Sequence, residues 1–194
     1  MTNRTTGETG YGTTSFRTTA SDRTVVPWLN GQGTTQVVAE TGDWRVSIAE
    51  EPLESTFSVI AGYDRVIIPI GSVALELTGP RFSATPEGLD AVSAVRHVIE
   101  PLQTFAFPGE WAPTSRASSR TRALNVMTRR GAADMTVEIG SSEIPGRSAS
   151  VRICLDLATE DALIVPPGEL MPPLEPGSWA IISLSPSDRH TANM

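Results

Sequence analysis

Short apolar runs separated by glycine and proline recur from Val25 to Leu184, whereas the preceding residues are threonine, serine, glycine, arginine and asparagine with little else to bury. Trp44, Val46 and Ile48 alternate with Arg45, Ser47 and Ala49, the two-residue period of a strand with one buried face. Val66 to Ile70 and Val73 to Leu77, separated by Gly71-Ser72, predict a hairpin. Further strands are predicted at Leu102 to Phe107, Ala123 to Met127, Met135 to Ile139, Ser150 to Leu157, Leu163 to Val165 and Trp179 to Leu184. Residues 85–100 are ambiguous. Thr85-Pro86-Glu87 suits a helix start with Leu89, Val92, Val95 and Ile99 on one face, and a strand or loop is the other choice. Many short strands with frequent turns point to a barrel or sandwich.

Composition narrows the chemistry. A chain of 194 residues forms one large domain or two small packed ones. Every one of its 15 basic residues is arginine, so no lysine can serve as Schiff-base partner, general base or P-loop ligand. Arginine suits two-pronged binding of carboxylates. A net charge of −7 opposes nucleic acid and anionic lipid as partners. Cys154 sits in an apolar alternation and has no internal disulfide partner, so it reads as a small buried hydrophobe. No apolar run reaches membrane-span length and no signal peptide is visible, which predicts a cytoplasmic protein. His97 and His190 are the only histidines, too few for a three-nitrogen metal site, and no carboxylate cluster has calcium or magnesium spacing. Gly-x-Ser-x-Gly and the dinucleotide fingerprint are both missing. No metal and no cofactor are expected.

Several polar side chains stand among the strand residues. Asn30-Gly31-Gln32-Gly33 reads as a hairpin turn, or as a glycine-lined nest in which N–H groups approach an anion. Arg45 and Ser47 share a strand face opposite Trp44, Val46 and Ile48, and point either to solvent or into a pocket. Arg65 either pairs at the surface with Asp64 or Glu76 or clamps a second acid group. Asn125 alternates with Leu124 and Val126, so it ties down a loop or reads a ligand. Glu50-Glu51 and Glu54 form either a solvated loop or an acid–base pair.

The blocks Val26-Pro-Trp-Leu-Asn-Gly-Gln-Gly-Thr-Thr35, Trp44-Arg-Val-Ser-Ile-Ala49, Phe57-Ser58, Gly62-Tyr-Asp-Arg65 and Leu124-Asn-Val-Met-Thr-Arg-Arg-Gly131 resemble the HutD/Ves family of bacterial cupin-like proteins associated with histidine utilisation. Leu29 stands where that family carries lysine, and Gln32 where it carries glycine, so any ligand role of that lysine does not transfer. The resemblance implies an all-β, cupin-like (bicupin) barrel or sandwich of antiparallel strands with little helix, and it argues for strand and loop over residues 85–100. The expected division is a disordered tail at 1–22, barrel halves at 23–107 and 108–186, and a C-terminal tail at 187–194. The function it implies is non-catalytic sensing or buffering of a small anionic metabolite, formylated or carboxylated. Arg45 and Arg65 would hold acid groups, Ser47, Asn30 and Asn125 would give neutral hydrogen bonds, and Trp28 and Phe57 would form apolar walls. Two alternatives remain. One is a metal-independent isomerase or hydrolase built on a carboxylate such as Glu50. The other is an interaction module with a vestigial pocket, homodimeric through an open sheet edge.

Overall fold

The computed structural model describes residues 14–28, 31–85, 88–140 and 150–187. Strands are numbered in chain order. The central sheet has six, in the spatial order β2 (Val25–Pro27), β3 (Thr34–Glu40), β4 (Trp44–Glu51), β11 (Thr121–Arg129), β6 (Tyr63–Pro69) and β9 (Phe105–Pro108). A five-stranded sheet runs β1 (Phe16–Thr18), β14 (Ala162–Val165), β13 (Val151–Asp156), β15 (Trp179–Pro186) and β12 (Ala133–Gly140). A four-stranded sheet runs β5 (Glu54–Thr56), β10 (Thr114–Arg116), β7 (Leu75–Thr85) and β8 (Gly88–Ile99). All pairings between these strands are antiparallel. One 3-10 turn at Ala20–Asp22 is the only helical element among the described residues, none of which forms a helix long and apolar enough to cross a membrane.

Alternation along the central strands explains the layering. Val46, Ile48, Ile68, Leu124 and Val126 face the five-stranded sheet and pack against Ile153, Leu155, Ile164, Ile182 and Leu184. On the other face, Ile67, Phe107 and Ala123 meet Leu75, Leu77 and Ile99 of the four-stranded sheet, with Trp111 closing the cluster. Both faces of the central sheet are therefore covered, which is why β4 and β11 are buried at nearly every position. Cys154 lies on the outer side of the five-stranded sheet, under Met171 and Leu174. Burial pushes its thiol up to about 12, so it packs as a small hydrophobe.

One expectation changes, one open choice is settled, and one stretch of the expected tail is ordered. The strands of the predicted 66–77 hairpin form but do not pair with each other: β6 pairs with β11 and β9, and β7 with β8 and β10. Ile70 and Gly71 both donate their N–H to the Arg122 carbonyl, at 2.8 and 3.3 Å, where the chain leaves the central sheet. A Cβ at Gly71 would stand 2.3 Å from Thr121 Oγ1, so a larger residue at the crossing would displace that side chain. The ambiguous 85–100 stretch is strand: β8 pairs with β7 from Leu75↔Ile99 to Thr85↔Gly88, with residues 86–87 outside the described set. Its β-branched Val92, Val95, Val98 and Ile99 suit a pleated surface better than a helix. Finally, residues 16–22 fell within the expected tail, yet Phe16–Thr18 pairs with Ile164–Ala162 as an edge strand. Beyond residue 107, β11 inserts between β4 and β6 in the same sheet.

Candidate ligand-binding site

The face of the central sheet turned towards the four-stranded sheet is not filled by apolar side chains along its whole length. Cross-strand register places Arg45, Met127 and Arg65 in one row and Ser47 beside Asn125 in the next. These side chains form the floor of a cavity of about 300 Å³, and the segment 56–60 and Trp28 form its walls. Trp28 is fixed by donating its indole N–H to Thr35 Oγ1 at 2.8 Å. Its ring also needs Gly33: a Cβ there would lie 2.6 Å from the Glu50 carbonyl and 3.0 Å from the indole. Of the side chains expected at a site, Trp28, Arg45, Ser47, Phe57, Arg65 and Asn125 all line this one cavity. Asn30 lies outside the described residues.

Arg65 is the unusual group. It is only 6% exposed, and its Cζ lies 4.9 Å from the ring centres of both Phe57 and Phe107. Two aromatic faces thus hold the guanidinium plane. Its Nη1 donates to the Ser58 carbonyl at 3.5 Å and its Nη2 to Asn125 Oδ1 at 3.3 Å, both long contacts. Its Nε has no hydrogen-bond partner, and among the described residues no carboxylate comes within 4.0 Å of the guanidinium. A buried arginine is ordinarily paired, because taking a charge out of water is costly. Burial lowers Arg65 to about 10, and the nearby charge of Glu51 works against that fall, so the group stays cationic at neutral pH.

Glu51 is the second buried ionisable group. It follows Arg45, Ser47 and Ala49 on the same face of β4 and is 2% exposed. Ser55 and Ser115 both reach its Oε2, at 3.4 and 3.5 Å, and bond each other at 2.7 Å. Burial raises its carboxyl to about 7, opposed by Ser55, Arg65 and Ser115. Arg45, by contrast, stands at the rim. Its side chain is 44% exposed and pairs with Glu40 at 2.6 Å.

A family model described as HutD matches residues 20–164. The chain belongs to the HutD family. Among solved structures, HutD from Pseudomonas fluorescens SBW25 is similar at a TM-score of 0.71 with 21% identity, covering 90% of this chain and 100% of that one. A conserved protein of unknown function from Pseudomonas aeruginosa PAO1 is similar at 0.70 with 20% identity, covering 89% and 99%. An oxalate decarboxylase from Lactobacillus farciminis is similar at 0.54 with 8% identity, covering 91% and 88%. At such identities the likeness is one of fold: the chain is an all-β, cupin-like protein, as its sequence predicted. No curated protein matches the chain.

Within this HutD-family fold the carboxylate that sequence reasoning chose was one residue off. Glu50 is exposed and faces Arg122 at 3.6 Å, whereas Glu51 is the one in the cavity. The signal was present in the odd-numbered series 45, 47, 49, 51. The apolar alternation stops at Ala49, so the glutamates that follow look like a loop in the sequence. Among the described residues no group of three or more His, Cys, Asp or Glu could hold a metal ion.

Proposed function

We propose that this HutD-family chain binds a small carboxylated or formylated metabolite in the cavity without transforming it, and that it thereby senses or buffers an intermediate linked to histidine utilisation. The observation that supports this most is Arg65, a buried cation with an unpartnered Nε and no carboxylate within ion-pair range. A carboxylate or formyl oxygen entering the cavity gives the guanidinium a charge-assisted partner at its Nη atoms, whose contacts to Ser58 and Asn125 are long. Asn125 and Ser47 give neutral hydrogen bonds beside it, Phe57 and Trp28 give apolar walls, and Arg45, paired with Glu40, stands at the rim within reach of a second acid group. Asn30 keeps the neutral role that its sequence block suggests.

Titration calorimetry with formylglutamate, urocanate and histidine tests the proposal. Binding of at least one, weakened about a hundredfold or more by Arg65→Ala and only a few-fold by Arg45→Ala, is expected. No heat with any of them, or binding unchanged by Arg65→Ala, contradicts it. A second reading, a metal-independent isomerase or hydrolase, is favoured by Glu51, whose carboxyl titrates near neutral pH inside the cavity. A product detected by mass spectrometry after incubation with these compounds would select it. For the vestigial-pocket alternative the favouring observation would be a cavity filled by side chains, and this one is open at about 300 Å³.

A further inference from the structure

Arg65 and Glu51 share the cavity with opposite charge and without touching. No contact of 4.0 Å or less joins them, although each biases the other's ionisation. Two buried ionisable groups of opposite sign usually close on each other, since the desolvation cost of each is offset by direct pairing. Here the strands prevent it. Arg65 stands on β6 between Phe57 and Phe107, and Glu51 lies at the far end of β4, beyond the Ser47 and Ala49 rows. The two serines that hold Glu51 both reach Oε2, and no described side chain reaches Oε1. The serine contacts to Oε2 are long, and Glu51 lines the cavity with acceptor capacity that the described side chains do not use.

We infer that Glu51 is a second ligand-reading group, so that the cavity takes a small carboxylic acid bearing an N–H donor a few atoms from its carboxyl group, with the carboxylate on Arg65 and the N–H on Glu51. This rests on the assignment of the carboxylate to Arg65 made above and adds a requirement for nitrogen. A simple carboxylate, or a dicarboxylate with no N–H, satisfies only Arg65 and brings a second acceptor towards Glu51. A compound with both groups spans the gap and pairs both residues. The charged group facing Glu51 is Arg65 on β6, while Ser55 on β5 and Ser115 on β10 face it as neutral hydroxyls. The ionised form of Glu51 is the acceptor, so selectivity for the N–H compound is greater at pH 8 than at pH 6.

The test uses N-formylglycine and N-formylsarcosine, which differ by replacement of the one N–H with N–CH₃. Calorimetric titration of the whole chain at pH 8 should show N-formylglycine binding about tenfold more tightly, the difference made by one hydrogen bond to a charged acceptor. Glu51→Leu should bring the two compounds to equal affinity. The paired compounds decide the matter on the unmodified chain even if that variant does not fold. Equal affinity for both compounds at pH 8 overturns this inference and leaves the carboxylate at Arg65 standing. Binding of neither overturns both.

Discussion

At the scale of single residues, Glu51 carries the clearest consequence for stability. Its carboxyl is held at about 7 in the folded chain against an ordinary value of 4.5. Between those values the folded state keeps a proton that the unfolded state has lost, so stability falls as pH rises through this window and is unaffected below it. The limit is on the order of 3 kcal/mol at pH values above 7. Urea denaturation at pH 5 and pH 8.5 should show this decline in the native chain, and Glu51→Gln should flatten it. A profile equally steep in the variant would assign the dependence elsewhere. Arg65 gives the opposite test of purpose. Arg65 carries the desolvation cost of a buried charge with no carboxylate in direct contact, and an apolar side chain of similar length removes that cost. Arg65→Met should therefore melt at or above the native temperature while losing carboxylate binding. A large drop in melting temperature would make Arg65 a structural residue.

At the scale of elements, β4 divides the work between its faces. Trp44, Val46 and Ile48 are buried against the five-stranded sheet, while Arg45, Ser47, Ala49 and Glu51 line the cavity. Ile48→Ala should cost about 2–5 kcal/mol in chemical denaturation and leave the affinity of the remaining folded protein unchanged. Ser47→Ala should cost little stability and weaken binding several-fold. The reverse pattern would place the cavity on the wrong side of the sheet. This division was legible in the sequence, because a strict period of two is a local property of the chain. Sheet membership was not. Val66 to Ile70 and Val73 to Leu77 looked like partners because they are adjacent, yet the Gly71 crossing sends them into different sheets, and the contact that fixes that crossing lies some fifty residues further on at Thr121 and Arg122. Residues 85–100 stayed ambiguous for a related reason: only pairing with β7 settles their conformation. Glu51 is hidden from local pattern because the end of β4 is set by tertiary pairing, here Thr121↔Glu51 and Arg122↔Glu50 with β11.

At the scale of the whole molecule, three stacked sheets leave one face of the central sheet incompletely packed, and the polar residues of the family's sequence blocks converge there. Trp28, Ser47, Phe57, Arg65 and Asn125 are dispersed over about a hundred positions of the chain and meet around one cavity. A ligand that binds only the folded form should raise the unfolding free energy by about 2.7 kcal/mol at a concentration a hundred times its dissociation constant. Thermal denaturation with increasing formylglutamate should therefore show a rising, concentration-dependent midpoint in the native chain and none in Arg65→Met. The most direct measurement is a crystal structure of the chain grown with saturating formylglutamate. The account predicts a ligand carboxylate or formyl oxygen about 3 Å from an Nη atom of Arg65, in the cavity beside Phe57. An empty cavity, or ligand bound only to exposed arginines, would contradict it.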